Sequence, residues 1–229
     1  MSVYCVSDLH SCYSKFIRSI PGDARKLIIL GDCFNKGREQ IEMFNWVMKN
    51  RRNPRFVFVL GNAEVRMNNE VVKHFAPGKN KLYYDWFGTH DGYRNKNISN
   101  VVIELIEKGK HTFEEFIDLT HNCYKWYHIE GKWLMAHASW ETEKTPGSQN
   151  KLNLVYDTRH LLERLRKADY KLRIHSMYKD TKFIFGHTPV QKISSKLKSP
   201  PAILRKRFFY IDNGIFKTAN SMFYMKIGK

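Results

Sequence analysis

LIILGDCFNKG, Leu27 to Gly37, is the stretch whose reading decides the fold. Four apolar residues, Leu27 to Leu30, read as a short buried strand. Gly31 turns the chain, and Asp32 stands at the strand's C-terminal end. A polar segment closed by Gly37 then precedes a helical pattern. In α/β sheets ligands bind in the crevice outside the carboxyl ends of the strands, so this is where such a fold places its chemistry. A carboxylate held there by a glycine turn is a good metal ligand. Taken alone, a Gly-Asp after a strand is more often only a turn, so other strands must bring ligands to the same edge.

Upstream, Val3 to Val6 reads as a first strand running into Ser7-Asp8-Leu9-His10. Ser14 to Ile20 follows as a short helix stopped by Pro21-Gly22. Downstream, Arg38 to Lys49 fits a helix with Ile41, Phe44, Trp46, Val47 and Met48 on its apolar face. Arg55 to Leu60 is a third strand, ending in Gly61-Asn62-Ala63-Glu64. Three strands with helices between them, ending in Asp, Asp and Asn, indicate a parallel βαβαβ arrangement.

Asn100 is placed to cap a helix through Lys108, with Gly109 at its C-terminus. Thr112 to Glu115 forms a capping box opening a helix to about Lys125. Trp126 to Ile129 and Trp133 to Ala136 read as a hairpin, with His137 just beyond. Thr158 to Lys167 is helical in pattern, and Lys182 to Phe185 is a strand ending in Gly186-His187-Thr188-Pro189. Phe208 to Ile211 and Met222 to Met225 read as closing strands around Asp212-Asn213-Gly214.

With 229 residues, 42% of them hydrophobic, the chain suits a single domain spanning 1–229 and excludes wholesale disorder. Residues 67–97 mix aromatics with lysines and arginines and read as an insertion. Such a mixture suits base stacking beside phosphates, but an ordinary insertion that packs its rings onto the core produces it too and is the preferred reading. Residues 192–207 are basic around Pro200-Pro201 and read as a mobile loop. No run is long enough to span a membrane, and Met1 to Val6 is too short and uncharged for a signal peptide, so a soluble cytoplasmic protein is expected. Cys5, Cys12, Cys33 and Cys123 form no CxxC pair, which argues for reduced thiols and against a disulfide framework or zinc knuckle. A net charge of +17 favours an anionic partner: a phosphorylated substrate, nucleic acid or an acidic surface.

Collected from the strand ends, Asp8, His10, Asp32, Asn62, His137 and His187 are oxygen and nitrogen ligands suited to Mn, Fe, Zn or Mg. Six are too many for one closed site with room for substrate, but fit two metals sharing a bridging carboxylate. Two metals about 3.5–4 Å apart clamp the oxygens of an in-line displacement and generate a hydroxide near neutral pH. Phosphoester hydrolysis is the reaction such a site serves best. The other seven histidines lack this context and are read as ordinary surface or core residues.

The same segments carry a family resemblance. SDLHSCY, GDCFNKG, GNAE, MAHAS and FGHTPV resemble, in order, the GDxHG, GDxxDRG, GNHE, HA/HG and GHT motifs of calcineurin-like metallophosphoesterases. Their spacing is most similar to the compact Ser/Thr protein phosphatases of the phage lambda type. The resemblance implies an αββα sandwich, with two mixed sheets flanked by helices. It implies two divalent ions, Mn first among them, and a phosphorylated substrate, either phosphoprotein or nucleotide. It extends to the location of a phage protein in a bacterial host. Asp8 and His10 would hold the first metal, Asp32 would bridge, and Asn62, His137 and His187 would hold the second. Arg159 in VYDTR falls where the phage enzymes carry a phosphate-binding arginine. A second such arginine, before GNHE, is replaced by Leu60.

Two departures bear on mechanism. Ala63 stands where the family has the histidine that protonates the leaving oxygen, and Asn35 where it has the aspartate that orients that histidine. Lys36 replaces the adjacent phosphate-gripping arginine, keeping the charge but losing the bidentate fork. An engineered His-to-Ala change would account for Ala63 but not Asn35, so the pair reads as natural divergence. General acid catalysis is worth about 10²–10⁴-fold. Its loss should weigh most on alkyl monoesters and least on aryl phosphates, anhydrides and activated diesters. Three functions follow: a phosphoesterase related to the protein phosphatases, a phosphodiesterase or phosphatase acting on nucleotides or nucleic acid, and a catalytically impaired phosphate binder.

Overall fold

A computed structural model describes residues 2–77, 98–156, 159–167, 171, 173–194, 200–215 and 222–228. Among them, β1 (Ser2–Ser7), β2 (Ala24–Leu30), β3 (Phe56–Val59) and the short β4 (Tyr124–Lys125) run parallel. An antiparallel β10 (Met225–Ile227) completes this first sheet, in the order β10-β1-β2-β3-β4. The second sheet contains β5 (Tyr127–Glu130), β6 (Trp133–Ala136), β7 (Lys182–Phe185), β8 (Ala202–Leu204) and β9 (Phe208–Tyr210), in the order β5-β6-β7-β9-β8. Its three inner strands are parallel and its two edge strands antiparallel.

Side-chain alternation explains why the two sheets face each other. In β2, Ile28 and Leu30 join Cys5, Val57 and Val59 against Met135, Ile184 and Phe209 of the second sheet. Leu27 and Ile29 point the other way, into a cluster with Phe16 of α1 (Tyr13–Ser19) and Phe44 and Val47 of α2 (Gln40–Asn50). A strand covered on both faces reads as an unbroken apolar run, which is the reason LIIL shows no polar alternation. The second sheet's outer face carries Phe183, Phe185 and Phe208. These share a cluster with Leu154 of α6 (Lys151–Val155) and with Leu161 and Leu165 of α7 (Arg159–Arg166). The layers are thus helix, sheet, sheet, helix, the sandwich that the resemblance implies. Among the described residues no helix is long and apolar enough to cross a membrane.

Several local expectations need correction. Ile41 is exposed, and Met43 takes its place on the buried face of α2. Asn100 lies inside α4 (Ile98–Glu107) and does not cap it, whereas Gly109 adopts φ +65° at the helix end, as expected. The capping box at Thr112 opens α5 (Phe113–Asp118), but a π turn over Leu119–Cys123 ends the helical run and Tyr124–Lys125 becomes the edge strand β4. Of the segment 67–97 read as an insertion, residues 67–75 belong to α3 (Asn62–Phe75), with Met67, Val71 and Val72 in the core, and residues 78–97 lie outside the described residues. Within 192–207, α8 (Val190–Ile193) and β8 are regular structure, while 195–199 lie outside the described residues. The last strand is Met225–Ile227, not 222–225, and it pairs with β1 in the opposite sheet from β9.

Candidate metal centre

All six predicted ligand positions meet where β1, β2, β3, β6 and β7 end. Asp8 and His10 follow β1, Asp32 follows β2, Asn62 opens α3 beyond β3, His137 follows β6 and His187 follows β7. Two groups of donor atoms lie within 4.8 Å of one another: Asp8, His10 and Asp32, and Asp32, His137 and His187. Asp32 belongs to both. In the second group, Asn62 Oδ1 lies 3.2 Å from His137 Nε2 and 3.0 Å from His187 Nδ1, and the two ring nitrogens are 3.1 Å apart. Asp32 Oδ1 is 3.5 Å from His137 Nε2, and its Oδ2 is 3.9 Å from His10 Nδ1. Asp8 Oδ1 stands 3.7 Å from His10 Nε2.

The surroundings fix which atoms face the centre. His137 Nδ1 donates to Leu30 O at 2.7 Å, leaving the Nε2 lone pair aimed at Asn62 and His187. His10 Nδ1 donates to Phe34 O at 3.3 Å, so Nε2 faces Asp8. Asp8 Oδ2 accepts from His187 N at 2.8 Å, and Asp32 Oδ1 from Ala63 N at 2.9 Å. Beneath them the buried Glu64 carboxylate accepts from Asp32 N (2.8 Å), Cys33 N (2.8 Å) and Gly61 N (2.9 Å). The Glu64 side chain therefore ties the end of β2 to the start of α3.

The backbone at this edge is strained. Asp8, His10, Ser11, Asp32 and His187 have φ between 46 and 60°, and Asn35 and Lys36 have φ of 68 and 62°. Left-handed non-glycine residues cost about 1–3 kcal/mol each and persist where surrounding bonds over-determine them. Here His10 N donates to Asp32 O (2.8 Å) and Ser11 N to Cys33 O (2.7 Å), locking the two ligand loops together. Gly186 is needed for close approach: a Cβ there would fall 2.5 Å from Asp8 Oδ2.

Burial sets the charge states. It lowers the imidazoles of His10 to about 4 and His187 to about 3, and lowers His137 as well, so all three are neutral ligands at neutral pH. Burial also raises Asp8, aided by the neighbouring Asp212 and Asp32 charges. Asp32 experiences the same burial, yet its imidazole neighbours and the Ala63 N–H hold it at about 2. Asp212, at the end of β9, is pushed up to about 6 by burial despite the 2.7 Å bond from Gly214 N. A crowd of neutral imidazoles and buried carboxylates, aimed inward and sharing one aspartate, fits divalent cations.

The remaining predicted residues fare differently. Lys36 Nζ stands 2.8 Å from His10 Nε2, at the ligand cluster itself. Asn35 Oδ1 accepts from Ile98 N at 3.4 Å, at the start of α4. Ala63 is buried beside Asp32, and Leu60 is buried in the helix-side core. Arg159 opens α7, but its side chain lies outside the described residues. Asp212 and Glu64 are the residues that sequence reasoning did not assign. The only signals for them were the Asp-Asn-Gly after an apolar run and the glutamate closing GNAE.

Beside His187 opens a cavity of about 440 Å³, lined by Tyr156, Glu163, Arg166, Thr188, Pro189 and Lys192 among others.

A family model for calcineurin-like phosphoesterases matches residues 1–215. Among solved structures, the chain is similar to a candidate diadenosine tetraphosphatase, with a TM-score of 0.57 at 12% identity over 99% of this chain and 92% of that one. It is also similar to a cold-active protein tyrosine phosphatase, with a TM-score of 0.51 at 12% identity over 98% of this chain and 73% of that one. Identities this low speak to the fold alone. No curated protein is matched by sequence.

Proposed function

The chain belongs to the calcineurin-like phosphoesterase family, which makes it a metal-dependent hydrolase of phosphoesters, and on that premise we propose a dinuclear enzyme that acts without a histidine general acid. The observation that carries this reading is the position of Asp32, common to two sets of inward-facing donors. Asp8 and His10 would hold one ion, Asn62, His137 and His187 the other, and Asp32, common to both groups, would be shared between them. Bound there, two divalent cations, Mn first among the candidates, supply Lewis acidity and an activated water at neutral pH.

The chain's own residues do the rest. The Leu30 carbonyl fixes the His137 tautomer, and the Ala63 N–H and the Glu64 clamp hold Asp32 in place. Lys36 brings a cation to the same edge, 2.8 Å from His10 Nε2, where it balances the carboxylates and would attract a phosphoryl group. The methyl of Ala63 offers no proton to a leaving oxygen. The substrates best served are therefore those whose leaving group needs none: aryl phosphates, phosphoanhydrides and activated diesters.

The decisive experiment combines metal analysis of protein purified without chelator with a Mn-supplemented panel: aryl phosphate, bis-aryl diester, cyclic nucleotide, oligonucleotide and phosphopeptide. About two ions per chain and aryl turnover abolished by Asp32→Asn are expected. Absence of both metal and turnover would sink the proposal, and metal without turnover would leave a phosphate binder.

A nucleotide or nucleic-acid substrate is the second reading, favoured by charge placement. Residues 159–207, which flank His187 and supply Arg166 and Lys192 to the cavity, hold fourteen Lys and Arg against three Asp and Glu. The name of the candidate diadenosine tetraphosphatase points the same way. A clear phosphopeptide preference in the panel would reject this reading.

A further inference from the structure

Leu60 leaves the start of α3 without the arginine expected there, yet a guanidinium stands one helical turn away. Arg66 follows Asn62 by four residues on α3, so the two share a face of the helix. Its guanidinium carbon lies 5.7 Å from the centroid of the Tyr156 ring. Tyr156 in turn reaches back with its hydroxyl, 3.4 Å from Asn62 O, and lines the cavity next to His187 and Thr188. Tyr156 thus bridges Arg66 and Asn62 at the edge of the second ligand group. Arg66 is exposed. Arg166, the arginine lining the cavity itself, is committed to backbone, donating to Lys192 O (3.2 Å) and Ile193 O. Glu163 on the same wall works against an anion at that end.

We propose that Arg66, steadied by the face of Tyr156, is a substrate-binding residue that grips the non-bridging oxygens of the phosphoryl group, in place of the cation that Leu60 lacks. A guanidinium held near an aromatic ring and hydrogen-bonded to its hydroxyl loses little further freedom on binding and still presents its remaining N–H donors to a tetrahedral anion. This inference rests on the metal-dependent reading above, and the experiment separates the two.

Metal-loaded wild-type protein and the Arg66→Ala, Arg66→Lys and Tyr156→Phe variants are compared. Three quantities are read: KM and kcat on an aryl phosphate, the inhibition constant of inorganic phosphate, and metal content. Arg66→Ala is expected to raise KM and the phosphate inhibition constant together by about ten- to a hundredfold, the weight of a charge-assisted hydrogen bond pair. Metal content and thermal stability should be unchanged, because the side chain is exposed. Arg66→Lys should recover only part of the loss, and Tyr156→Phe, which removes the hydroxyl that Arg66 meets, should raise both constants in the same direction but by less than Arg66→Ala. If wild type turns over and Arg66→Ala leaves both constants unaltered, Arg66 has no such role while the metal-dependent reading stands. If wild type neither holds metal nor turns over, both fall.

Discussion

At position 63 a buried methyl stands where the family resemblance implies a proton donor, and its backbone N–H serves Asp32 Oδ1. Asn35, the missing donor's would-be partner, is engaged elsewhere, accepting from Ile98 N at the head of α4. An aspartate at 35 could accept the same bond while orienting an imidazole. We therefore expect Ala63→His with Asn35→Asp to raise kcat/KM on an alkyl phosphate by about 10²-fold, within the usual range for general acid catalysis. The gain on an aryl phosphate should be much smaller, and Ala63→His alone should achieve less. Equal gains on both esters would show that leaving-group protonation is not what the chain lacks. Glu64 offers a second test at this scale. Burial and the Asp32 charge push its carboxyl up to about 8, against three backbone N–H donors that favour the ionised form. Glutamine keeps one acceptor oxygen and turns an NH₂ towards a backbone N–H. Glu64→Gln should cost about 1–3 kcal/mol in urea unfolding and weaken metal retention; unchanged stability would mean that the clamp is not what holds the β2 end.

Among the elements, the strands were readable wherever burial on both faces wrote an unbroken apolar run: LIIL in β2, FIF in β7. Boundaries decided by tertiary contact were not. Phe116, Ile117 and Leu119 continue a helical pattern past the capping box, yet Tyr124 leaves it because Phe58 of β3 has an open edge to pair with. Asn100 has capping chemistry, but α4 begins two residues earlier, at the Ile98 N–H that Asn35 accepts. The meeting of the two sheets has its own test. Gly186 ends β7 against the end of β1, where an added methyl would lie 2.5 Å from Asp8 Oδ2 and 2.6 Å from Ser7 Cβ. Gly186→Ala should displace the Asp8 carboxylate and lower metal content from about two ions per chain towards one, with His137 and His187 still able to hold theirs. Full retention of both ions would show that Asp8 is not a ligand, or that the sheets separate at little cost.

For the molecule as a whole, the candidate site was legible because ligands at strand ends sit in short motifs, each beside the strand that positions it. Asp212 escaped because its turn lies far along the chain from Asp8, and only the fold makes their charges neighbours. The result is a set of buried carboxylates, Asp8, Asp32 and Asp212, inside a chain of net charge +17. Without cations, Asp212 is held at about 6 and Asp8 also lies above its ordinary range, both first by burial. A carboxyl raised in the folded state stabilises most below its unfolded pKa, and that contribution fades as pH rises through the folded value. Bound cations reverse the preference, favouring the ionised carboxylates and releasing their protons. The neutral histidines take the same form in both states at neutral pH, so they largely cancel from the comparison. Chelation should therefore lower the melting temperature, and the gap between Mn-loaded and chelated protein should widen from pH 5 to pH 7, as Asp212 ionises. Scanning calorimetry of both forms across that range measures it directly. A gap that stays constant or narrows would mean that these carboxylates do not face the bound metals.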